Sequence, residues 1–101
     1  MANTFKSYQS TSVTTETTVF TGPADTQSTI IGMSVANTST SATTVSVKLN
    51  TAYIVKNAPV PIGGSLVAIG SEQKVVVEDG DLLKVSSDET VDIVISTLEI
   101  T

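Results

Sequence analysis

Apolar and polar residues alternate with a period close to two through most of the chain. From Ser28 to Asn37, Ile31, Met33 and Val35 share one face, opposite Gly32, Ser34 and Ala36. From Thr43 to Asn50, Val45, Val47 and Leu49 share a face opposite Thr44, Ser46 and Lys48. Val91, Ile93 and Ile95 alternate with Asp92, Val94 and Ser96. This period marks strands with one buried side. No stretch carries the i, i+3, i+4, i+7 stripe of an amphipathic helix, so no substantial helix is predicted. Turn residues divide the pattern at Thr21-Gly22-Pro23-Ala24-Asp25, Asn37-Thr38-Ser39-Thr40-Ser41, Gly63-Gly64, Gly70-Ser71, Asp79-Gly80 and Ser87-Asp88-Glu89. Pro59 and Pro61 bracket Val60, and proline lacks the donor a central strand needs. That segment belongs at an edge or in a crossover.

The predicted strands are 4–9, 16–21, 28–37, 43–49, 52–57, 65–69, 73–78, 81–86 and 91–100. Eight or nine short strands with frequent turns imply an all-β fold. The expectation is a single-domain antiparallel β-sandwich over residues 1–101, of jelly-roll or Ig-like type, with 1–10 a candidate N-terminal arm. Its core should contain Val19, Ile31, Met33, Val35, Val45, Val47, Leu49, Leu66, Val76, Leu83, Val85, Ile93 and Ile95. Two places break the pattern. After Thr97 the apolar positions become Leu98 and Ile100, on the opposite parity to Val91, Ile93 and Ile95. Either a bulge near Ser96-Thr97 restores one face, or Leu98 and Ile100 face a second surface such as a neighbouring subunit. Phe5 stands alone among Ser, Asn and Gln, in a frayed tail or in an arm that docks on a partner.

Composition sharpens the strand reading. Of 101 residues, 17 are Thr and 13 are Ser, and Val, Ile and Thr together number 39. Branched Cβ atoms suit a pleated surface better than a helix. At this length one modest core forms without a staple, leaving a folded surface of about 5,400 Å². Charged residues are 15% of the chain, so hydroxyls supply much of the polar surface. Hydroxyls leave water at lower cost than ions, which suits an assembly contact as well as a plain solvent face.

The net charge of −5 is unevenly placed: residues 72–101 hold eight acids and two lysines. With no Arg and this acidity, neither a phosphate backbone nor an anionic membrane is a fitting partner. There is no Cys, so no disulfide framework or thiolate metal site is expected. Met1 to Ser10 lacks the apolar segment of a secretory signal, and no apolar run is long enough to span a bilayer.

Candidate chemistry is sparse. Without His or Cys, the usual nucleophile–base pairs are not available. Acids cluster at Glu78, Asp79 and Asp81 and at Asp88, Glu89 and Asp92, each cluster on a predicted turn. Two carboxylates across a cleft would permit sugar hydrolysis, but four aromatics in a small chain make a poor sugar cleft. Glu78-Asp79-Gly80-Asp81 offers oxygen ligands of the kind Ca²⁺ takes, without EF-hand spacing, and reads foremost as a hairpin turn. Asn37-Thr38-Ser39 matches a glycosylation sequon and is read as a loop. Tyr8 and Tyr53 are the candidates for stacking on a carbohydrate. No catalytic, cofactor-binding or metal-binding residue is assigned.

Taken in order, several pieces resemble a known family. They are Phe5-Lys6, Thr17-Thr18-Val19-Phe20-Thr21-Gly22-Pro23-Ala24, Val35-Ala36-Asn37, Pro59-Val60-Pro61, the acidic turn from Val77 to Val85, and Ser96-Thr97-Leu98-Glu99-Ile100-Thr101. Over nearly the whole chain this order is similar to the small all-β virion proteins of tailed bacteriophages, frequent in cyanophages and marine phages. The resemblance implies a non-enzymatic structural part of the virion, made in the host bacterial cytoplasm. Foremost is a capsid decoration or cement protein that joins the major capsid protein or other virion proteins. It would act as a homo-oligomer, a trimer for example. A neck, tail or fibre-attachment component is the nearest alternative, and a receptor- or carbohydrate-binding β-module the next; a small Asp/Glu hydrolase is a distant third class. No cofactor, nucleic acid or membrane is expected as a partner. Candidate protein-contact residues are Phe5, Tyr8, Leu98 and Ile100.

Overall fold

Nine strands follow from this alternation, in close to the predicted order. A computed structural model of the chain describes residues 3–70 and 74–101. The strands are β1 (Asn3–Val13), β2 (Thr17–Thr21), β3 (Gln27–Asn37), β4 (Thr43–Leu49), β5 (Ala52–Val60), β6 (Ser65–Ile69), β7 (Val75–Val77), β8 (Leu82–Ser87) and β9 (Val91–Ile100). Residue 73 of the predicted strand 73–78, Ser71 of the turn Gly70-Ser71 and residues 1–2 of the candidate arm lie outside the described residues.

The strands form two antiparallel sheets. The long sheet has the order β1-β9-β3-β6, with β7 also paired to β3; the short sheet has the order β2-β8-β4-β5. The chain crosses between sheets after β1, β2, β3, β5, β7 and β8, which is the connectivity of a jelly roll with β7 added. Jelly-roll topology is therefore the form the predicted sandwich takes. The total accessible surface of 5483 Å² matches the value expected from chain length. Residues 3–13 are not a free arm: they lie along β9 as the edge strand of the long sheet.

The core lies between the sheets and includes Phe20, Ile30, Met33, Val35, Val45, Val47, Val60, Ile69, Val77, Leu83, Val85, Val91, Ile93 and Ile95. Four expectations are displaced by one or more positions. Ile30 replaces Ile31 because β3 carries a bulge between Ile30 and Gly32. Phe20 replaces Val19 because β2 shifts register between Thr18 and Phe20. Ala68 and Ile69 are buried where Leu66 was expected, beside a register shift at Met33/Ser34. Val76 is exposed and Val77 buried; β7 has three apolar residues in a row, so alternation alone does not choose its inner face. Val19, Leu49 and Leu66 still pack against the core from its rim. Pro59 sits in β5, which is an edge strand as its missing donor requires.

Side chains short enough to bond the backbone hold the turns. Asn37 is buried, and its Nδ2 donates to the carbonyls of Ser41, Val60 and Pro61 at 2.8, 3.2 and 3.3 Å. Its Oδ1 accepts from the Ser39 N–H and hydroxyl. The sequon asparagine is thus the organiser of the β3–β4 loop. At the β7–β8 turn, Gly22 and Gly80 bring two loops into backbone contact: the Gly22 N–H donates to Asp81 O at 2.8 Å and the Gly80 N–H to Gly22 O at 3.0 Å. A Cβ at Gly22 would lie 1.9 Å from the Glu78 carbonyl oxygen. Gly80 has a φ of +82° and open space around it.

These two glycines should respond differently to alanine. Gly22→Ala should cost about 3 kcal/mol, because the obstructing atom is backbone. Gly80→Ala should cost about 1 kcal/mol, the strain of a left-handed residue with room for its methyl. Urea unfolding of both variants measures the difference; equal losses would mean that the two loops separate easily.

Candidate functional site

The side chains of β9 alternate without a break. Val91, Ile93, Ile95, Thr97 and Glu99 point into the sandwich, and Asp92, Val94, Ser96, Leu98 and Ile100 point out. No bulge occurs at Ser96-Thr97; the compensating bulge lies on the partner strand, β3. Leu98 and Ile100 therefore face a second surface, the outer face of the long sheet.

Strand pairing sets the residues of that face in rows. One row runs Phe5, Leu98, Thr29, Val76 across β1, β9, β3 and β7. Another runs Gln9, Val94, Ser34, Val67 across β1, β9, β3 and β6. Ile100 closes the first end between Asn3 and Gln27. Phe5 is 74% exposed, Val67 66%, Val76 56% and Val94 44%. Between the two rows Gly32 presents no side chain, leaving a notch of about 290 Å³ walled by Val67, Val94 and Ser96. Asp92, at the far end of β9, is the one charged residue on this face among the described strands. Single exposed apolar residues are ordinary; a set of them sharing one nearly uncharged sheet face is the pattern of a contact surface.

Three of the four predicted contact residues, Phe5, Leu98 and Ile100, share this face. Tyr8 does not. It has the opposite parity on β1 and points inward, half buried. Its ring meets Phe20 edge-on, with centroids 4.8 Å apart. Its hydroxyl donates to Oε2 of Glu99, a carboxylate only 3% exposed. The Thr97 hydroxyl donates to the same oxygen at 3.1 Å, and Lys6 Nζ lies 3.8 Å from Oε1. A buried carboxylate is tolerable only with such partners. Tyr8 thus clasps β1 to β9 from inside the sandwich, and the exposed Lys6 pairs with the same carboxylate from its margin. Sequence patterning missed this role, because Glu99 follows Leu98 in a segment that seemed to call for a bulge. The exposed residues that patterning also missed, Val67, Val76 and Val94, sit in runs of consecutive apolar residues.

The outer face of the short sheet has a different character. Lys48 and Lys84 are direct cross-strand neighbours. Glu16 lies 2.6 Å from Lys48 Nζ, and the Lys48 ammonium holds the Glu16 carboxyl below its usual range. Tyr53 sits between Lys48 and Lys56, whose ammoniums lie 5.5 and 5.2 Å from its ring centre. Neither tyrosine is a bare stacking platform.

The acidic turns serve the backbone. Asp81 Oδ2 accepts from the Glu78 N–H at 3.0 Å, and its Oδ1 accepts from Asn50 Nδ2 at 3.2 Å. Asp79 accepts from the Asp25 N–H, Asp88 from the Thr44 hydroxyl and Asp92 from the Ser12 N–H. Asp25, Glu78 and Asp79 also line an open groove of about 450 Å³ beside Ile100. Among the described residues no group of three acids converges as a metal site.

No protein-family model matches the chain, and no curated protein does. A solved chain from the disulfide-linked pili of Bacillus endospore appendages is similar in fold, with a TM-score of 0.53 and 16% identity, over 99% of this chain and 87% of that one. At this identity the likeness concerns the fold. None of the 101 residues here is cysteine, so links through disulfides have no counterpart in them.

The clasp yields a test of its own. Burial, then the hydrogen bond and charge of Glu99, push the Tyr8 phenol up to about 12. An unfolded tyrosine ionises near 10. The folded protein therefore holds this proton more tightly, and the stability it contributes below pH 10 should fade as pH rises from 10 to 12. Tyr8→Phe should remove that step and should cost about 1–3 kcal/mol at pH 8, since Glu99 loses a donor while buried. Urea unfolding of both proteins from pH 8 to 12 checks the two expectations together.

Proposed function

We propose that the chain is a non-enzymatic structural subunit that works by repeated contact with copies of itself and with a neighbouring structural protein. The observation that carries this reading is the outer face of the long sheet. Four of its five strands present Phe5, Val67, Val76 and Val94 with Leu98 and Ile100, beside a single charge. A rigid two-sheet body with one such face suits a part that symmetry repeats. Weak contacts made many times also stabilise each folded copy by mass action.

The sequence resemblance supports a tailed-phage virion as the assembly, with the chain decorating or cementing the capsid, and a neck, tail or fibre position as the alternative. The fold likeness to a pilus chain supports a second reading, in which copies form a filament. The readings differ in where the protein is found. Quantitative mass spectrometry of purified particles should give a copy number near that of the major capsid protein for a head-coating role, and a low ratio for a neck or tail role. Absence from particles, with filaments seen by electron microscopy of the purified protein, would replace the virion with a filament. Absence of both would sink the structural reading.

The contact face should be separable from the core. Phe5→Ala and Leu98→Asp should weaken association about tenfold or more, with the circular dichroism and melting of the monomer preserved. A variant that unfolds would place its residue in the core instead.

A further inference from the structure

A two-sheet fold leaves four edges, each a row of backbone donors and acceptors able to recruit another strand. Three are short or obstructed. β2 and β6 have five residues each and β7 has three. β5 is longer but carries Lys56, Pro59 and an Asn57 with a φ of +52°, and its register against β4 shifts twice. The fourth edge is β1. It runs for eleven residues, has no proline and one charge, and keeps an unbroken register with β9 from Asn3 to Ser10. Its only neighbour in the sheet is β9. Asn3 to Ser7 are all exposed. Before the register shift at Ser10/Val13 the strand has no proline and no bulge, and Lys6 is the single charge that guards its edge.

We propose that the free edge of β1 pairs antiparallel with β1 of a second copy, joining two long sheets into one across a two-fold axis. This deepens the structural reading and rests on it, by naming the edge and the occupant. Charge favours a copy as that occupant. The chain carries −5 overall, yet the segment from Asn3 to Thr11 holds one lysine and no acid. Two acidic bodies therefore meet along a strand that carries no acid. The lysine also selects the register. An axis through Lys6 would set two ammoniums face to face, which is unfavourable for directly opposed residues. An axis through Ser7 sets Lys6 against Tyr8 and Phe5 against Gln9, and keeps the lysines apart. In that register the exposed row Val76, Thr29, Leu98, Phe5 continues onto Gln9 of the second copy, so pairing enlarges the face described above. Main-chain hydrogen bonds supply the affinity, as in other strand additions.

The absence of cysteine makes this directly testable with the full chain. Ser7 is exposed and on the outer face, so substitutions there spare the core. Across the proposed axis the two Ser7 Cα atoms would be about 4.5–5.5 Å apart, within the Cα separation a disulfide spans. Ser7→Cys should oxidise to a covalent dimer about tenfold faster or more than Thr51→Cys, an equally exposed turn position taken as control. Ser7→Lys opposes two charges at the axis and should weaken wild-type association in sedimentation by a similar factor. If that variant fails to fold, Ser7→Glu, which opposes two carboxylates at the same point, replaces it. The proposal is overturned if Ser7→Cys cross-links no faster than the control, if the folded charge variant sediments as the wild type, or if the wild type stays monomeric at every concentration reached. Any of these results with the protein still present in particles or filaments leaves the structural reading intact. A Ser7→Cys dimer from a protein found in neither would retain the pairing and remove that reading.

Discussion

The unbroken pleat of β9 governs the rest of the molecule. Side chains on a strand alternate with a period of two, and nothing short of a bulge changes that. β9 contains none, so Val91, Ile93 and Ile95 commit Thr97 and Glu99 to the interior and Leu98 and Ile100 to the exterior. Each commitment has a consequence. A buried Glu99 needs donors, and β1 supplies Tyr8 and Lys6. With Tyr8 and Lys6 turned inward, the intervening parity of β1 must face out, and that places Phe5 beside Leu98. Inner clasp and outer apolar row are two results of one constraint.

The neighbouring strands absorb the irregularity that β9 refuses. β3 carries an extra residue at Ile31, which lets Ile30 and Met33 both reach the core. Gly32 follows at once, and its missing side chain opens the notch on the outer face. β6 repeats the device at Ala68, so Val67 is exposed while Ala68 and Ile69 are buried. Bulges that re-aim side chains thus shape the contact face while the inner face stays filled.

Most of the fold was legible from alternation and turn residues, because both are local. All nine strands and the edge position of the proline segment follow from them. Which residue of an apolar pair is buried did not follow where a bulge intervened, as at Ile30-Ile31 and Val19-Phe20, or where every residue is apolar, as in Val75–Val77. A bulge is decided by the partner strand, and the partner is distant in sequence. The candidate face was half legible. Phe5, Leu98 and Ile100 stood out because each breaks its local pattern. Tyr8 was grouped with Phe5 by proximity alone, and its inward parity depends on the pairing with β9. Nothing local identified Glu99 as a buried group, since its partners on β1, Tyr8 and Lys6, lie 91 and 93 positions away.

The two outer faces divide the charge between them. The short sheet displays Lys48 and Lys84 with Glu16, and a tyrosine between two ammoniums. Glu78, Asp79, Asp81, Asp88 and Glu89 lie in turns at the ends of the sheets, where Asp79 and Asp81 accept backbone N–H groups. What remains for the outer face of the long sheet is mostly Thr, Ser, Gln and branched aliphatics, with Phe5 and the single charge of Asp92. An acidic chain can approach another acidic surface closely only where its own charge is low, because exposed like charges repel within a Debye length of about 8–10 Å. The long sheet provides that approach on its face and along β1 at its edge, and the short sheet does not. The molecule is therefore two-sided, with one charged face and one nearly uncharged face, the one proposed for contact. A symmetric assembly needs that asymmetry to fix which side of each subunit turns inward.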